Sequence, residues 1–409
     1  MSQTCRACRE DSVEQTIDFG SWPIVHHLKR EVTDPRECYE FVVGVCNNCG
    51  LLQLLNPISA EILYKEYFTL SSWKNNPHID RLKWLVGECS GVERSSRVLE
   101  IGCNDGSFLT ILKDQGYDSL FGIEPSEDAY LVAKRDGFDV EHSFFGLEKA
   151  QEVRDTRGAM DLVVCRQVLE HVADLPDFVE GLNHVLAPGA PLLLEVPDAS
   201  TNISDLDYGF WEEHVNYFTE GTLRRLLSSF GFQVSFAEKV VFSGSTIIVL
   251  AFKSEQGGQN EFDADRAATG VEVDGAKRMG DLWPTFRHQY RAYIEETRAE
   301  NMGVAIYGCG ARSSTLANFL GLDDLVSCYI DDQSEKQKFF VPGNDLEILP
   351  RKAMGDLGIR KVLLGVNAEN ENKVIMNAGL REANMTWSSM LAPSRYLPIF
   401  WRNLAGRFR

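Results

Sequence analysis

From about residue 90 to 252 the chain alternates short apolar runs with amphipathic stretches, and no other feature restricts its fold as much. The runs RVLEIG, SLFGIEP, DLVVCRQVLE and PLLLEVPD read as strands, each beside a helical pattern. Strands apolar on both faces are what a sheet covered by helices needs. The alternation therefore predicts an α/β domain with a parallel sheet between two helical layers. A shorter alternation (VAIYGCG, LVSCYIDD, KVLLGVN) predicts a second, smaller α/β domain, entered through a helical pattern near 280–298. Between them, residues 254–276 are Gly-rich and acidic with no apolar period, and read as a linker or exposed excursion. The expected boundaries are 1–80, 81–253, 254–276 and 277–409, consistent with the two to four domains that 409 residues allow.

Where the first strand of the larger domain ends, Glu100-Ile-Gly102-Cys-Asn104-Asp-Gly106 places an acid and two glycines at a strand-to-helix turn. Glycines let a ligand approach the backbone, and the helix start offers free N–H groups. The spacing is not the G-x-G-x-x-G of a dinucleotide site. About 20 residues on, the next strand ends in Glu124-Pro125, where a carboxylate can hold two ribose hydroxyls. This box resembles that of the class I S-adenosylmethionine-dependent methyltransferases. The resemblance implies that Glu100, Gly102, Asn104 and Gly106 line the methionine end of the cofactor and that Glu124 and Pro125 meet the ribose. It also implies that the Ser143-Phe144 region flanks the adenine and that Cys165 and Gln167 border the cofactor from the fourth strand. A doubly wound domain for another nucleotide is the competing reading.

The N-terminal segment carries four of the ten cysteines as two knuckles, Cys5-Arg-Ala-Cys8 and Cys46-Asn-Asn-Cys49, the second followed by Gly50. Two residues between thiolates let each pair grip one tetrahedral ion, so Cys5, Cys8, Cys46 and Cys49 are expected to bind one Zn²⁺. Four thiolates leave no open position, which makes the metal structural. Free thiols or redox pairs are the alternative, but a thioredoxin-like pair needs a βαβ context that is missing. The six other cysteines have no partner spacing and read as buried thiols.

Lys and Arg number 41 against 60 Asp and Glu, a formal charge of -19. Such a surplus repels phosphate backbones and anionic lipid, so neither nucleic acid nor a membrane is an expected partner. No apolar run approaches the roughly 20 residues a bilayer requires. The opening MSQTCRACRE lacks a signal peptide's apolar core, so a cytoplasmic location is expected.

Two histidines fall at the carboxyl edge of the larger sheet, where parallel-sheet sites form. His214 lies in Trp211-Glu-Glu213-His214-Val-Asn-Tyr217-Phe, and His171 follows the fourth strand in Val168-Leu-Glu170-His171. A carboxylate beside an imidazole can orient it and raise its basicity. Most such pairs are merely surface residues.

Taken in order, the Cys₄ segment, a core carrying VLEH and EEHxxYF, and a final domain opening on a YGxxA-like turn resemble the sugar C-methyltransferases. These act on nucleotide-linked 4-keto-6-deoxy sugars. The resemblance implies a class I methyltransferase (Rossmann-like) core between a small zinc domain and a second, C-terminal Rossmann-like α/β domain. It implies methylation at C-3' of such a sugar, with S-adenosyl-L-methionine as donor. It assigns the base to His214, assisted by Glu213, with supporting roles for His171 and a tyrosine of the Tyr64–Tyr67 neighbourhood, here Tyr67. Two departures stand out: Trp211 where some members have tyrosine, and Arg312 where the turn commonly has lysine. The Gly308/Gly310 turn, with Asp331-Asp332 about 20 residues on, could cradle a pyrophosphate or merely pack helix on strand; the redox reading of that pattern is disfavoured by the first glycine box. An O- or N-methyltransferase and a non-catalytic zinc-knuckle module are the remaining alternatives. A monomer or small homo-oligomer is expected.

Overall fold

The computed structural model describes residues 3–63, 78–254, 266–299 and 302–406. Three sheets organise them. The largest has seven strands in the order Phe232–Val240, Thr246–Lys253, Pro191–Pro197, Leu162–Arg166, Arg97–Ile101, Ser119–Glu124, Asp139–His142. The five from Pro191–Pro197 to Asp139–His142 run parallel, and Thr246–Lys253 is inserted antiparallel. This is the Rossmann-like order of a class I methyltransferase. The predicted strands fall where expected because they are buried from both sides: every residue of Pro191–Val196 and Leu162–Cys165 is buried. The C-terminal domain has a five-stranded, fully parallel sheet ordered Ile348–Leu349, Cys328–Ile330, Gly303–Tyr307, Ile359–Leu364, Thr386–Ser389.

The third sheet crosses the expected domain boundaries. Val13–Pro23, Cys38–Cys46 and Leu52–Leu54 form an antiparallel meander in the zinc-knuckle region. Its fourth strand, Asn216–Tyr217, comes from the methyltransferase core and pairs with Leu52 and Gln53. The EEHxxYF segment is thereby stitched into the N-terminal sheet.

The linker reading of 254–276 is corrected in its second half. A single helix runs Arg266–Ala299, through Pro284, so residues 266–276 are helical. Ala276, Met279, Trp283, Phe286, Tyr290 and Ile294 recur at three- and four-residue spacing and are all buried. They join one core with Phe19 and Phe41 of the N-terminal sheet, Tyr208 and Phe210 of the core, and Phe319 and Trp401 of the C-terminal domain. Gly280 is small because the helix crosses the N-terminal sheet closely: a Cβ there would sit 2.3 Å from the Thr16 carbonyl oxygen.

Candidate active site

The zinc knuckles close as the spacing predicts. The Sγ atoms of Cys5 and Cys49 are 3.5 Å apart, those of Cys8 and Cys46 are 3.6 Å apart, and all four lie within 4.8 Å of one another. A tetrahedral ion with Zn–S of about 2.3 Å needs edges of roughly 3.8 Å, so the donor set fits Zn²⁺ without rearrangement. Ser12 Oγ lies 3.0 Å from Cys46 Sγ, and the Cys49 amide donates to the same sulfur at 3.4 Å. Arg6, between the first two cysteines, donates to the carbonyls of Leu54 (2.6 Å) and Val215 (3.3 Å). The knuckle is thus tied to the residue after His214.

The turn expected to hold S-adenosylmethionine combines left-handed backbone with an acid pinned at the strand edge. Asn104 sits at φ 49°, a left-handed position that glycine usually fills, so the G-x-x-x-G spacing hides a third residue of glycine-like conformation. Gly102 has φ 69°, and a Cβ there would strike Val168 at 2.4 Å. Gly106 caps the helix Ser107–Asp114. Glu124 accepts the Asn104 amide on one oxygen and the Ser126 amide on the other, both at 2.8 Å, which fixes its carboxylate at the strand edge while second lone pairs stay available for a ribose. Glu100 is buried, and its Oε2 has no hydrogen-bond partner among the described residues. Burial pushes Glu100 up to about 8, against the pull of Arg166. An acid left unpaired beneath the turn suits a cationic ligand.

The four remaining expected cofactor residues lie as follows. Phe144 is 66% exposed, and the Pro125 carbonyl meets His142 Nε2 at 2.9 Å. Cys165 is buried in the apolar layer of the sheet. Gln167, at φ 52°, turns its amide onto Glu195 Oε1 at 3.0 Å. Glu195 is fully buried; Arg166, His78 and Gln167 outweigh that burial and hold it at about 2.

The two candidate catalytic histidines come together. His171 ends the single turn Leu169–His171 and His214 ends the loop before Asn216–Tyr217; their rings are 4.8 Å apart at 86°. Trp211 stacks on His214 at 4.1 Å. Burial, reinforced by His171 and Arg312, holds His214 well below the usual histidine value. Burial lowers His171 to about 4, although its Nδ1 meets the Glu213 carbonyl at 2.9 Å. Both imidazoles are therefore neutral at pH 7, as a base must be to accept a proton.

The partner expected for His214 is corrected. Glu213 turns its carboxylate to the N-terminal domain, where Oε1 lies 3.2 Å from His26 Nδ1, and contributes only its backbone carbonyl to the histidine pair. Adjacent residues of a tight turn point apart, so sequence adjacency is a poor guide to side-chain pairing. The acid that does reach the histidines is Glu170, missed as a site residue: its carboxylate, His171 and His214 offer atoms within 4.8 Å of one another. Glu170 is 1% exposed, neither carboxylate oxygen has a hydrogen-bond partner among the described residues, and burial pushes it up to about 8. The VLEH motif contained it; its burial was invisible. Tyr67 lies outside the described residues.

The C-terminal domain fixes the loop that leads to His214. Arg312 pairs with the fully buried Asp207, and donates to the carbonyl of Ser243 and to Asn367 Oδ1 at 3.2 and 3.1 Å. Thr315 Oγ1 and Trp401 Nε1 donate to the carbonyls of Phe210 and Asp205, each at 2.6 Å. Arg312 is committed to an internal carboxylate.

Three family models match parts of this chain. A family model of a zinc binding domain matches residues 5–64, a methyltransferase domain matches 79–235, and a C-methyltransferase C-terminal domain matches 266–364. The C-methyltransferase NovU of Streptomyces niveus is 26% identical over 393 residues, covering 92% of this chain and 93% of the relative. A ubiquinone biosynthesis O-methyltransferase of Bordetella avium is 28% identical over 27% of this chain and 45% of its own length. A solved S-adenosylmethionine-dependent methyltransferase of Archaeoglobus fulgidus, 19% identical, covers 42% of this chain and 92% of its own, with a TM-score of 0.35. Among the described residues no helix is long and apolar enough to cross a membrane.

Proposed function

We propose, from the premise that this chain is an S-adenosylmethionine-dependent methyltransferase with an N-terminal zinc-binding domain, that it methylates carbon: C-3' of a nucleotide-linked 4-keto-6-deoxy sugar. The observation that carries this reading is the pair of half-buried imidazoles, rings 4.8 Å apart and both neutral at pH 7, at the carboxyl edge of the sheet that also bears the glycine turn. A carbon beside a ketone becomes nucleophilic only when a base removes its proton. In the proposed step His214 takes the C-3' proton, and the C–H electron pair moves into an enolate. S-adenosylmethionine, when bound, supplies the electrophilic methyl group that this carbon takes up. The enolate oxygen needs a donor, commonly worth about 10²–10³ in rate. His171, neutral and with its Nδ1 proton on the Glu213 carbonyl, presents Nε2 as an acceptor and so orients the His214 loop instead of supplying that donor. Trp211, stacked on His214, fixes the ring and closes one side of the site to water. His214 afterwards returns its proton to solvent.

The test is mass spectrometry of products from a panel of nucleotide-linked 4-keto-6-deoxy sugars, with unreacted substrate followed in D₂O. Carbon methylation predicts deuterium entering the position beside the ketone. His214→Asn should lower turnover by about 10²–10⁴ while leaving S-adenosylmethionine affinity near wild type. Activity within about tenfold of wild type would reject the base assignment.

A further inference from the structure

Two arginines of this chain are paired with buried acids, and they differ in how many of their donors are used. Arg312 spends both Nη groups, on Asp207, Asn367 and the carbonyls of Ser243 and Ala392. Arg166, at the end of Leu162–Arg166, has a side chain only 10% exposed, and its Nε donates to Glu195 Oε2 at 3.3 Å. Among the described residues neither of its Nη groups makes a hydrogen bond. A guanidinium carries five N–H donors, and buried donors are ordinarily satisfied. This one lies beside the cofactor turn: its Cζ is 4.5 Å from the ring centre of Phe108, in the first turn of the helix that Gly106 caps. Strand register sets Glu100 opposite Val164 and Arg166 opposite Glu195, so the alternation of strands turns Glu100, Arg166 and Glu195 to one face of the sheet. On that face Glu195 is fully buried and ionised, and His78, stacked on Phe242 at 4.1 Å, brings Nε2 to 3.4 Å from the same Oε2. Glu100, on the adjacent strand, keeps an Oε2 without a partner among the described residues.

We infer that Arg166 is the residue by which this protein recognises the amino-acid end of S-adenosylmethionine: its two uncommitted Nη groups hold the carboxylate of the bound cofactor, and Glu100 receives the ammonium beside it. A fixed cation and a spare acid on neighbouring strands match the two charges of an α-amino acid. The planar fork of a guanidinium suits a carboxylate, which it can meet with two parallel bonds. Glu195 holds the Nε edge, which leaves the Nη edge for the ligand. The inference goes beyond the proposed function, because it is the same whichever atom is methylated; it rests on the cofactor turn at Gly102–Gly106.

If Arg166 only neutralised Glu195, the cofactor's carboxylate would gain nothing from it. S-adenosylmethioninamine, the analogue without that carboxylate, tells the two roles apart. It carries one more net positive charge than S-adenosylmethionine, so a turn beside Glu100, Asp105 and Glu124 would favour the amine if charge alone decided. Preference for the parent cofactor requires a cation aimed at its carboxylate. Titration calorimetry of both compounds on the full-length protein gives an affinity ratio within each variant, and that ratio is unaffected by any loss of folded molecules. Wild type should bind S-adenosylmethionine about 10–100-fold more tightly than the amine. Arg166→Gln should bring that preference to about threefold or less. Arg166→Gln combined with Glu195→Gln, which leaves no buried carboxylate stripped of its cation, should do the same. A wild type that does not prefer S-adenosylmethionine, or a preference that both variants keep, would overturn the inference. A wild type that binds neither compound would remove the cofactor turn, and the inference with it. None of these results bears on His214, which turnover in His214→Asn decides.

Discussion

The two glycine turns of this chain are built alike and used differently. In the cofactor domain Glu124 accepts the amides of Asn104 and Ser126, each at 2.8 Å. In the C-terminal domain Asp331 accepts the amides of Cys309 (2.8 Å) and Gln333 (2.9 Å), the same device of one acid tying the turn to its own strand end. The surroundings diverge. Beneath the first turn Glu100 keeps a carboxylate oxygen without a partner among the described residues. The second turn is satisfied from within: Ser313 Oγ bonds the carbonyls of Gly308 and Gly310, Lys336 Nζ donates to the Cys309 carbonyl, and Tyr307 donates to Asp332. Its helix spends Arg312 on Asp207. The glycine pattern reports a backbone shape; unspent polar atoms report a ligand.

The sharpest way to break this contrast is at the strut of the second turn. Arg312→Ala leaves Asp207 buried without its cation, and breaking such a pair typically costs about 3–5 kcal/mol, read by denaturant unfolding. kcat should fall with it while cofactor affinity per folded molecule is unchanged. Arg312→Lys restores charge without the fork and should recover only part. A smaller effect is expected at the first turn. Glu124→Ala removes charge-assisted bonds worth about 1.5–3 kcal/mol each and should weaken S-adenosylmethionine binding by about 10²-fold or more in calorimetry. Asp331→Ala should leave that affinity unchanged and cost about 1–3 kcal/mol of stability, for the two amides left unpaired. Equal loss of cofactor binding in both variants would erase the distinction. The smallest effect concerns pH. Glu100 is neutral up to about 8, and a bound cation would favour its ionised form, so binding should release a proton. Affinity should therefore rise from pH 6 to 8 by at most about tenfold per unit, and Glu100→Gln should abolish that slope.

What could be read in the sequence follows from what each feature needs. The sheet strands are apolar because they are covered on both sides, and the four knuckle cysteines are spaced by the ion they grip; both leave marks along the chain. The start of the long helix left the wrong mark. Gly270 and Gly275 look like linker composition, yet a Cβ at Gly275 would strike Ile203 at 2.2 Å, so at least there the glycine answers to close packing. Thr219 and Arg225 anchor the same stretch through Glu272. His26 carries no motif, and its place against Glu213 is set by a contact 187 residues away in sequence, between Val25 and Glu212. Asn104 was legible only as a residue between glycines, because a left-handed asparagine looks like any other in a sequence.

The strand that the core lends to the N-terminal sheet, Asn216–Tyr217 against Leu52–Gln53, sets the terms for engineering this protein. Chimeras assembled by exchanging the first 80 residues between relatives would have to rebuild an edge whose register places His214. Grafts that change substrate choice should therefore travel as matched pairs, with the recipient's meander and the 205–217 loop replaced together.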